Sequence, residues 1–209
     1  MGQESLLEII EILKEKYGKI SCELIHSEDY ELMIAARLSA RCKDDRVNVI
    51  TKRLFRRYPT LHSFASADFS EVEEIIRPCG LSNTKARDIV AACQMLEVKF
   101  GGKLPSSIER LIELPGVGRK TANLILAEVF HEPAVICDVH CIRISNKLGL
   151  CRTKDPSKVE RVLRAVLPPQ ESTGFCHRLV RFGKDVCRAR NPKCGSCELV
   201  AHCDWVRME

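Results

Sequence analysis

The sequence lacks any apolar run approaching the ~18 residues of a membrane-spanning helix, so no transmembrane segment is expected. No secretory leader is expected either. The opening MGQESLLEIIEILKEKYGKI places Glu4, Glu8 and Glu11 where a signal peptide needs an apolar core. Low-complexity tracts and long linkers are absent. Strand-like alternation is confined to Ala134-Val135-Ile136-Cys137, too short to build a sheet. These absences argue against membrane and secreted classes. They leave a globular chain of 209 residues, 45% apolar and 29% charged, long enough for one or two small domains.

Cysteine is abundant, at 12 residues. Without a leader these read as reduced thiols in an intracellular protein (cytoplasm or nucleoid if the source is prokaryotic), some of them binding a metal. The net charge of +5 hides an asymmetry. Residues 1–32 hold three lysines against eight acids (−5), and residues 33–209 hold 30 basic against 20 acidic residues (+10). Basic residues concentrate in 41–57 and 181–193. A polyanionic partner is one reading of that pattern, and two solvated helix faces are the other.

Helical periodicity runs nearly throughout, which predicts an all-α fold of roughly ten helices. Leu6, Ile9, Ile10 and Leu13 mark a first amphipathic helix. Leu32, Ala35, Ala36 and Ala40 mark a second, and Val47, Ile50, Leu54 and Phe55 a third that ends near Tyr58-Pro59. Asn83 is the expected N-cap of a helix from Lys85 to about Phe100, stopping at Gly101-Gly102. Ser106 to Glu109 has capping-box spacing. Pro115-Gly116 breaks the chain before a helix from about Arg119 to Phe130. Asp138, Asp155-Pro156 and Glu171-Ser172 read as further helix starts.

Three features carry chemistry. Cys187, Cys194, Cys197 and Cys203 are spaced C-x6-C-x2-C-x5-C. One short step and two wider ones suit an iron–sulfur body ahead of a zinc ion, which more often uses two C-x2-C knuckles. The remaining eight cysteines read as buried apolar filling. The second feature is Leu114-Pro115-Gly116-Val117-Gly118-Arg119-Lys120-Thr121-Ala122. Its glycines permit a tight turn that feeds a helix N-terminus, and such a turn can hold nucleic-acid backbone. Lys120 falls in the first helical turn, where the dipole disfavours its ammonium and favours a nucleophilic amine. The third is Asp138, an N-cap that also stays ionised to face a developing cation. A lysine amine and a carboxylate are the pair that Schiff-base chemistry at a sugar carbon requires.

In this order and at these separations, the hairpin LPGVGRKTAN at 114–123, the segment VICDVH at 135–140 and the cysteine set resemble the endonuclease III family of helix–hairpin–helix DNA glycosylase/AP lyases. The resemblance runs from about Leu38 to Cys203. It implies two helical domains, one over 22–132 with the hairpin and one combining 1–21 with 133–209, and DNA crossing the cleft between them. It implies a 4Fe-4S cluster on Cys187, Cys194, Cys197 and Cys203, attack by Lys120 at C1′ of a flipped-out nucleotide assisted by Asp138, and strand cleavage by β-elimination.

The implied partner is double-stranded DNA carrying damaged bases or abasic sites, bound by a monomer, with oxidised pyrimidines the substrate class. Gly116, Val117, Gly118, Arg119, Thr121 and His140 would contact DNA. Leu81 matches the family's wedge. Where the family reads LSAQATD this chain reads Leu38-Ser39-Ala40-Arg41-Cys42-Lys43-Asp44. Arg41 therefore replaces the gap-filling Gln, and Cys42 and Lys43 change the wall of a base pocket that includes Asp44. Asp138-Val139-His140 replaces Asp-Thr-His. These departures point to a branch with altered base specificity as one alternative. The cluster is expected to fix a loop that presents Arg188, Arg190 and Lys193 to phosphate. A non-catalytic iron–sulfur DNA binder and an electron-transfer protein are the rival readings. The first leaves Lys120 and Asp138 without a purpose, and the second leaves the hairpin and the +10 body unexplained.

Overall fold

A computed structural model describes residues 2–207. Among them there are twelve α-helices, three short 3-10 turns and no strand. None of the helices is long and apolar enough to cross a membrane. The chain divides into two compact units, residues 22–130 and residues 1–21 with 131–209.

The first helix, α1 (Gln3–Tyr17), buries Leu6, Ile9, Ile10 and Leu13 on one face. Its partners come from the far end of the chain. Lys14 pairs with Glu171, Ser5 bonds His202 Nδ1 at 2.9 Å, and Lys16 pairs with Glu198.

The contiguous unit begins with α2 (Asp29–Ser39), which is apolar on nearly every side because it is its unit's central helix. Its start is a capping box in which the Glu31 carboxylate accepts from the Ser27 and Glu28 amides. Next come α3 (Asp44–Arg57), α4 (Leu61–Ala65) and α5 (Phe69–Ile76). Only 11 residues of the chain are aromatic, yet four of them meet here. Tyr30, Phe55 and Tyr58 surround the fully buried Phe64 with ring centroids 5.2–6.2 Å apart. A 3-10 turn, Arg77–Cys79, leads into α6 (Ser82–Phe100), against which α4 and α5 pack.

That helix starts three residues earlier than its sequence signal. Leu81, in the left-handed region, takes the cap position, and Asn83 lies inside the helix donating to Glu73. The unit ends with α7 (Ile108–Leu111) and α8 (Arg119–Glu128). The cap of α7 is Ser107, not Ser106, because it is Ser107 Oγ that accepts from the Arg110 amide.

Residues Ala134–Cys137 are buried but form no strand. The Thr173 hydroxyl holds Ala134 by accepting from its N–H and donating to its carbonyl. Beyond them come α9 (Val139–Lys147), α10 (Pro156–Val166), α11 (Pro169–Asp185) and α12 (Asp204–Arg207). Asp138 and Asp155 cap α9 and α10 through the Cys141 and Lys158 amides. The start of α11 lies at Pro169, ahead of Glu171.

Candidate functional site

The hairpin joins α7 to α8 in the contiguous unit. Gly116 has φ +76, and a Cβ there would stand 2.7 Å from Arg37 Nε and 2.8 Å from Asp88 Cβ. Arg37 and Asp88 are an ion pair, with Nε donating to Oδ2 at 2.7 Å, that bridges α2 to α6. The turn therefore lies directly on a cross-helix clamp that the sequence gives no sign of. Gly118 has nothing within 4 Å of its missing Cβ and faces open space. It caps α8 without a side chain, so none of its own atoms screens the first-turn amides.

Arg119 and Lys120 are exposed in that first turn, with Thr121 half-buried beside them. Val117 turns the other way. Its side chain is 6% exposed and its N–H is committed to Leu114 O at 3.0 Å. Among the residues assigned to DNA contact it packs inward and holds the turn together.

Lys120 shares its surroundings with Cys22, whose thiol feels the charges of Glu128, Asp44 and Lys120. Burial pushes that thiol up to about 11, so it stands beside the lysine as a neutral group. Asp44, assigned to a base pocket, and Lys120 thus both act on this one thiol. Cys22 read as mere filling. Its place beside the lysine is set by the path of residues 22–28, and no spacing in the sequence encodes it.

Arg41 and Leu81 are both exposed, Leu81 at 54%, and both hold non-glycine left-handed backbone, with φ of 58° and 52°. Such a conformation costs about 1–2 kcal/mol at each residue. Strain of this kind gathers where a side chain must be presented at a fixed angle. Cys42 sits half-buried behind Arg41 with its thiol against that of Cys79, and burial followed by that neighbour pushes the Cys79 thiol up to about 11. Lys43 is exposed at the start of α3.

In the other unit, Asp138 is half-buried, and its Oδ1 accepts from the Cys141 amide at 2.7 Å. One oxygen is thus held as a cap, which fixes the carboxylate's orientation. The His140 ring packs against Gly183 of α11, where a Cβ would stand 2.2 Å from Nδ1, and Arg143 approaches the same nitrogen at 3.3 Å. Arg143 also donates to the Cys187 carbonyl at 2.7 Å, so α9 carries Asp138 at its start and grips the cysteine segment one turn later.

Cys187, Cys194, Cys197 and Cys203 all line one partly open cavity, together with Val186, Val200 and Trp205. No disulfide forms among the twelve cysteines. Burial raises the Cys187 and Cys197 thiols, so a thiophilic metal must displace their protons. Among the described residues no three His, Cys, Asp or Glu side chains converge on a point as a single metal ion requires. Four thiols lining one apolar-walled cavity suit a thiophilic metal centre. Arg188, Arg190 and Lys193 are exposed on the adjoining loop, which closes where Val186 O accepts from the Arg188 and Lys193 amides.

A helical unit with this hairpin defines a class, the HhH-GPD superfamily of base excision DNA repair proteins, whose family model matches residues 34–169. The endonuclease III of Synechocystis sp. is 41% identical over 197 residues, 94% of this chain and 90% of the relative. A non-covalent endonuclease III–DNA complex superposes with a TM-score of 0.94 at 38% identity, covering 100% of this chain and 98% of that one. A trapped endonuclease III–DNA covalent intermediate, an estranged-adenine complex, superposes equally well over the whole of both chains. Within the superfamily, the chain belongs to the endonuclease III family.

Proposed function

We propose that the chain is a bifunctional DNA glycosylase/AP lyase that removes damaged bases, oxidised pyrimidines foremost, from double-stranded DNA. The observation that carries the proposal is the position of Lys120. It is exposed in the first turn of α8, immediately after a glycine turn whose own atoms leave the helix amides open. Those amides and Arg119 suit a DNA phosphate, and the bound backbone then presents a sugar carbon to the amine.

The Lys120 amine attacks C1′ of the flipped nucleotide as the bond to the base breaks, and the departing base takes the electron pair. Asp138, held by the Cys141 amide, presents its carboxylate to the cation developing on the sugar ring. The amine then loses a proton, the C1′–O4′ bond opens with O4′ leaving as a hydroxyl, and the resulting imine between Lys120 and C1′ acidifies C2′. Loss of the C2′ proton expels the 3′ oxygen and cuts the strand. Arg41 and Leu81 enter the space the nucleotide leaves, and Cys42, Lys43 and Asp44 wall the base pocket. Arg is a donor-only group where Gln both donates and accepts, so Arg41 shifts the preference for the base opposite the lesion.

Cys187, Cys194, Cys197 and Cys203 would hold a 4Fe-4S cluster, which when bound supplies four strong links across a loop that has little apolar core of its own. The loop then presents Arg188, Arg190 and Lys193 to phosphate. The protein acts as a monomer inside the cell, where its thiols stay reduced.

Borohydride trapping on abasic and thymine-glycol duplexes tests the reading. Wild type should form a covalent adduct and Lys120→Ala should not. Equal trapping by the variant sinks the assignment, and salt-sensitive duplex binding with no adduct from wild type would favour a non-catalytic binder.

A further inference from the structure

Lys85 is the most deeply buried charged side chain of the described residues, with 0% exposure. The chemistry above does not use it. Burial holds its ammonium below the usual lysine range, a profile that suits a Schiff-base amine, yet the group has no path to a substrate. Its Nζ instead donates to two backbone carbonyls, Leu38 O at 2.8 Å and Cys79 O at 2.9 Å.

Those carbonyls are not arbitrary. Leu38 lies in the last turn of α2, three residues before Arg41. In a continuing helix its carbonyl would accept from the Cys42 amide. The left-handed turn at Arg41 diverts that amide to Ser39 O, at 3.0 Å, so Leu38 O is left for Lys85. Cys79 lies two residues before Leu81, and the Lys85 amide itself donates to Leu81 O at 3.0 Å. One residue therefore grips both exposed tips, Leu81 from two sides and Arg41 through the end of its helix. The ammonium also meets the negative end of the α2 dipole, a favourable partner for a buried cation.

We infer that Lys85 is a positioning residue that fixes the two tips, Arg41 and Leu81, at one spacing, by bridging the Leu38 and Cys79 carbonyls beneath them. The inference rests on the proposed function, in which both tips enter the duplex. Two separately mobile tips would each have to be ordered on binding. A pair tied through one ammonium enters as a single preset wedge, so its discrimination of a gapped helix from an intact one depends on the tie.

The test uses the full, iron-loaded protein and two duplexes, one undamaged and one with a tetrahydrofuran abasic-site analogue opposite 2-aminopurine. Wild type should prefer the abasic duplex and change the 2-aminopurine fluorescence as the tips enter. Lys85→Met should bind undamaged duplex as wild type does but lose tenfold or more of its preference and most of the fluorescence change. Lys85→Arg, which keeps donors for both carbonyls, should recover part of both. If wild type shows neither preference nor fluorescence change, the wedge reading falls and the inference with it. If wild type shows both and Lys85→Met keeps both, the inference alone is wrong. Should Lys85→Met fail to fold, amide exchange in wild type decides. The Cys42 and Gly80 amides, which close the two turns, should open with one shared protection factor, and unequal protection overturns the tie.

Discussion

Gly116 and Gly118 stand two residues apart in one turn, and the structure assigns them opposite jobs. Replacing Gly116 with alanine places a methyl 2.7–2.8 Å from the Arg37 side chain and Asp88 Cβ, at φ +76. The backbone strain is about 1–2 kcal/mol. Forcing apart a packed pair adds about 1–3 kcal/mol, and the pair in question is a half-buried salt bridge between α2 and α6. A loss near 3 kcal/mol should lower the melting temperature by about 6–12 °C in a chain of this size. Gly118→Ala meets nothing within 4 Å and has φ −92, an ordinary value for alanine. Its melting temperature should stay level or rise slightly. Its methyl, however, would stand where a phosphate must approach the α8 amides. Loss of about one hydrogen bond's worth of binding, ~1 kcal/mol, weakens duplex affinity roughly fivefold. Thermal melts and duplex titrations at one fixed salt concentration read both effects. A Gly116→Ala melt within ~2 °C of wild type would refute the clash argument. So would a Gly118→Ala protein that melts low and binds normally.

Asp138 caps α9, and in the proposed mechanism its charge has a separate duty. Asn keeps the cap acceptor, so Asp138→Asn should melt as wild type does while turnover on an abasic duplex falls roughly 100-fold. Asp138→Ala should lose activity and also about 1 kcal/mol of stability. Neutralising Arg188, Arg190 and Lys193 together with Gln should reduce the slope of log affinity against log salt by about 2–3, and an unchanged slope removes that loop from the DNA interface. Cys197→Ser should lower iron content and visible iron–sulfur absorbance. Bound zinc in its place, with wild type equally iron-free, would overturn the cluster assignment.

Much of this fold was legible because its signals are local. The apolar stripe of α1, the caps Asp138 and Asp155 and the stop at Gly101 all follow from side-chain spacing and turn chemistry. The errors come where tertiary contacts override a local preference. Asn83 is a good cap by type, but its amide is drawn to Glu73 and Leu81 takes a backbone conformation that leucine disfavours. Ser106 and Ser107 are equivalent by composition, and only the direction of the incoming chain chooses between them. The site divides in the same way. Motif spacing singled out Lys120, Asp138 and the four cysteines as candidates. Lys85, Cys22 and the Arg37–Asp88 clamp are known only by what packs on them, and no periodicity marks a lysine whose partners are backbone carbonyls 47 and 6 residues away.

The dependence of α1 on residues near the other end of the chain sets an order of assembly. Residues 22–130 are contiguous, and their contacts can form as soon as that stretch leaves the ribosome. The stripe of Leu6, Ile9, Ile10 and Leu13 has no such prospect. Its ion-pair and hydrogen-bond partners, Glu171, Glu198 and His202, are made more than 150 residues later, a wait of roughly 8–30 s at ordinary rates of synthesis. Throughout that interval the nascent protein exposes an amphipathic helix whose docking face does not yet exist. The polar face of α1, with Glu4, Glu8, Glu11 and Glu15 among its exposed residues, favours hydration of that waiting helix. Closure of α1 onto Glu171, Glu198 and His202 is therefore among the last steps of assembly.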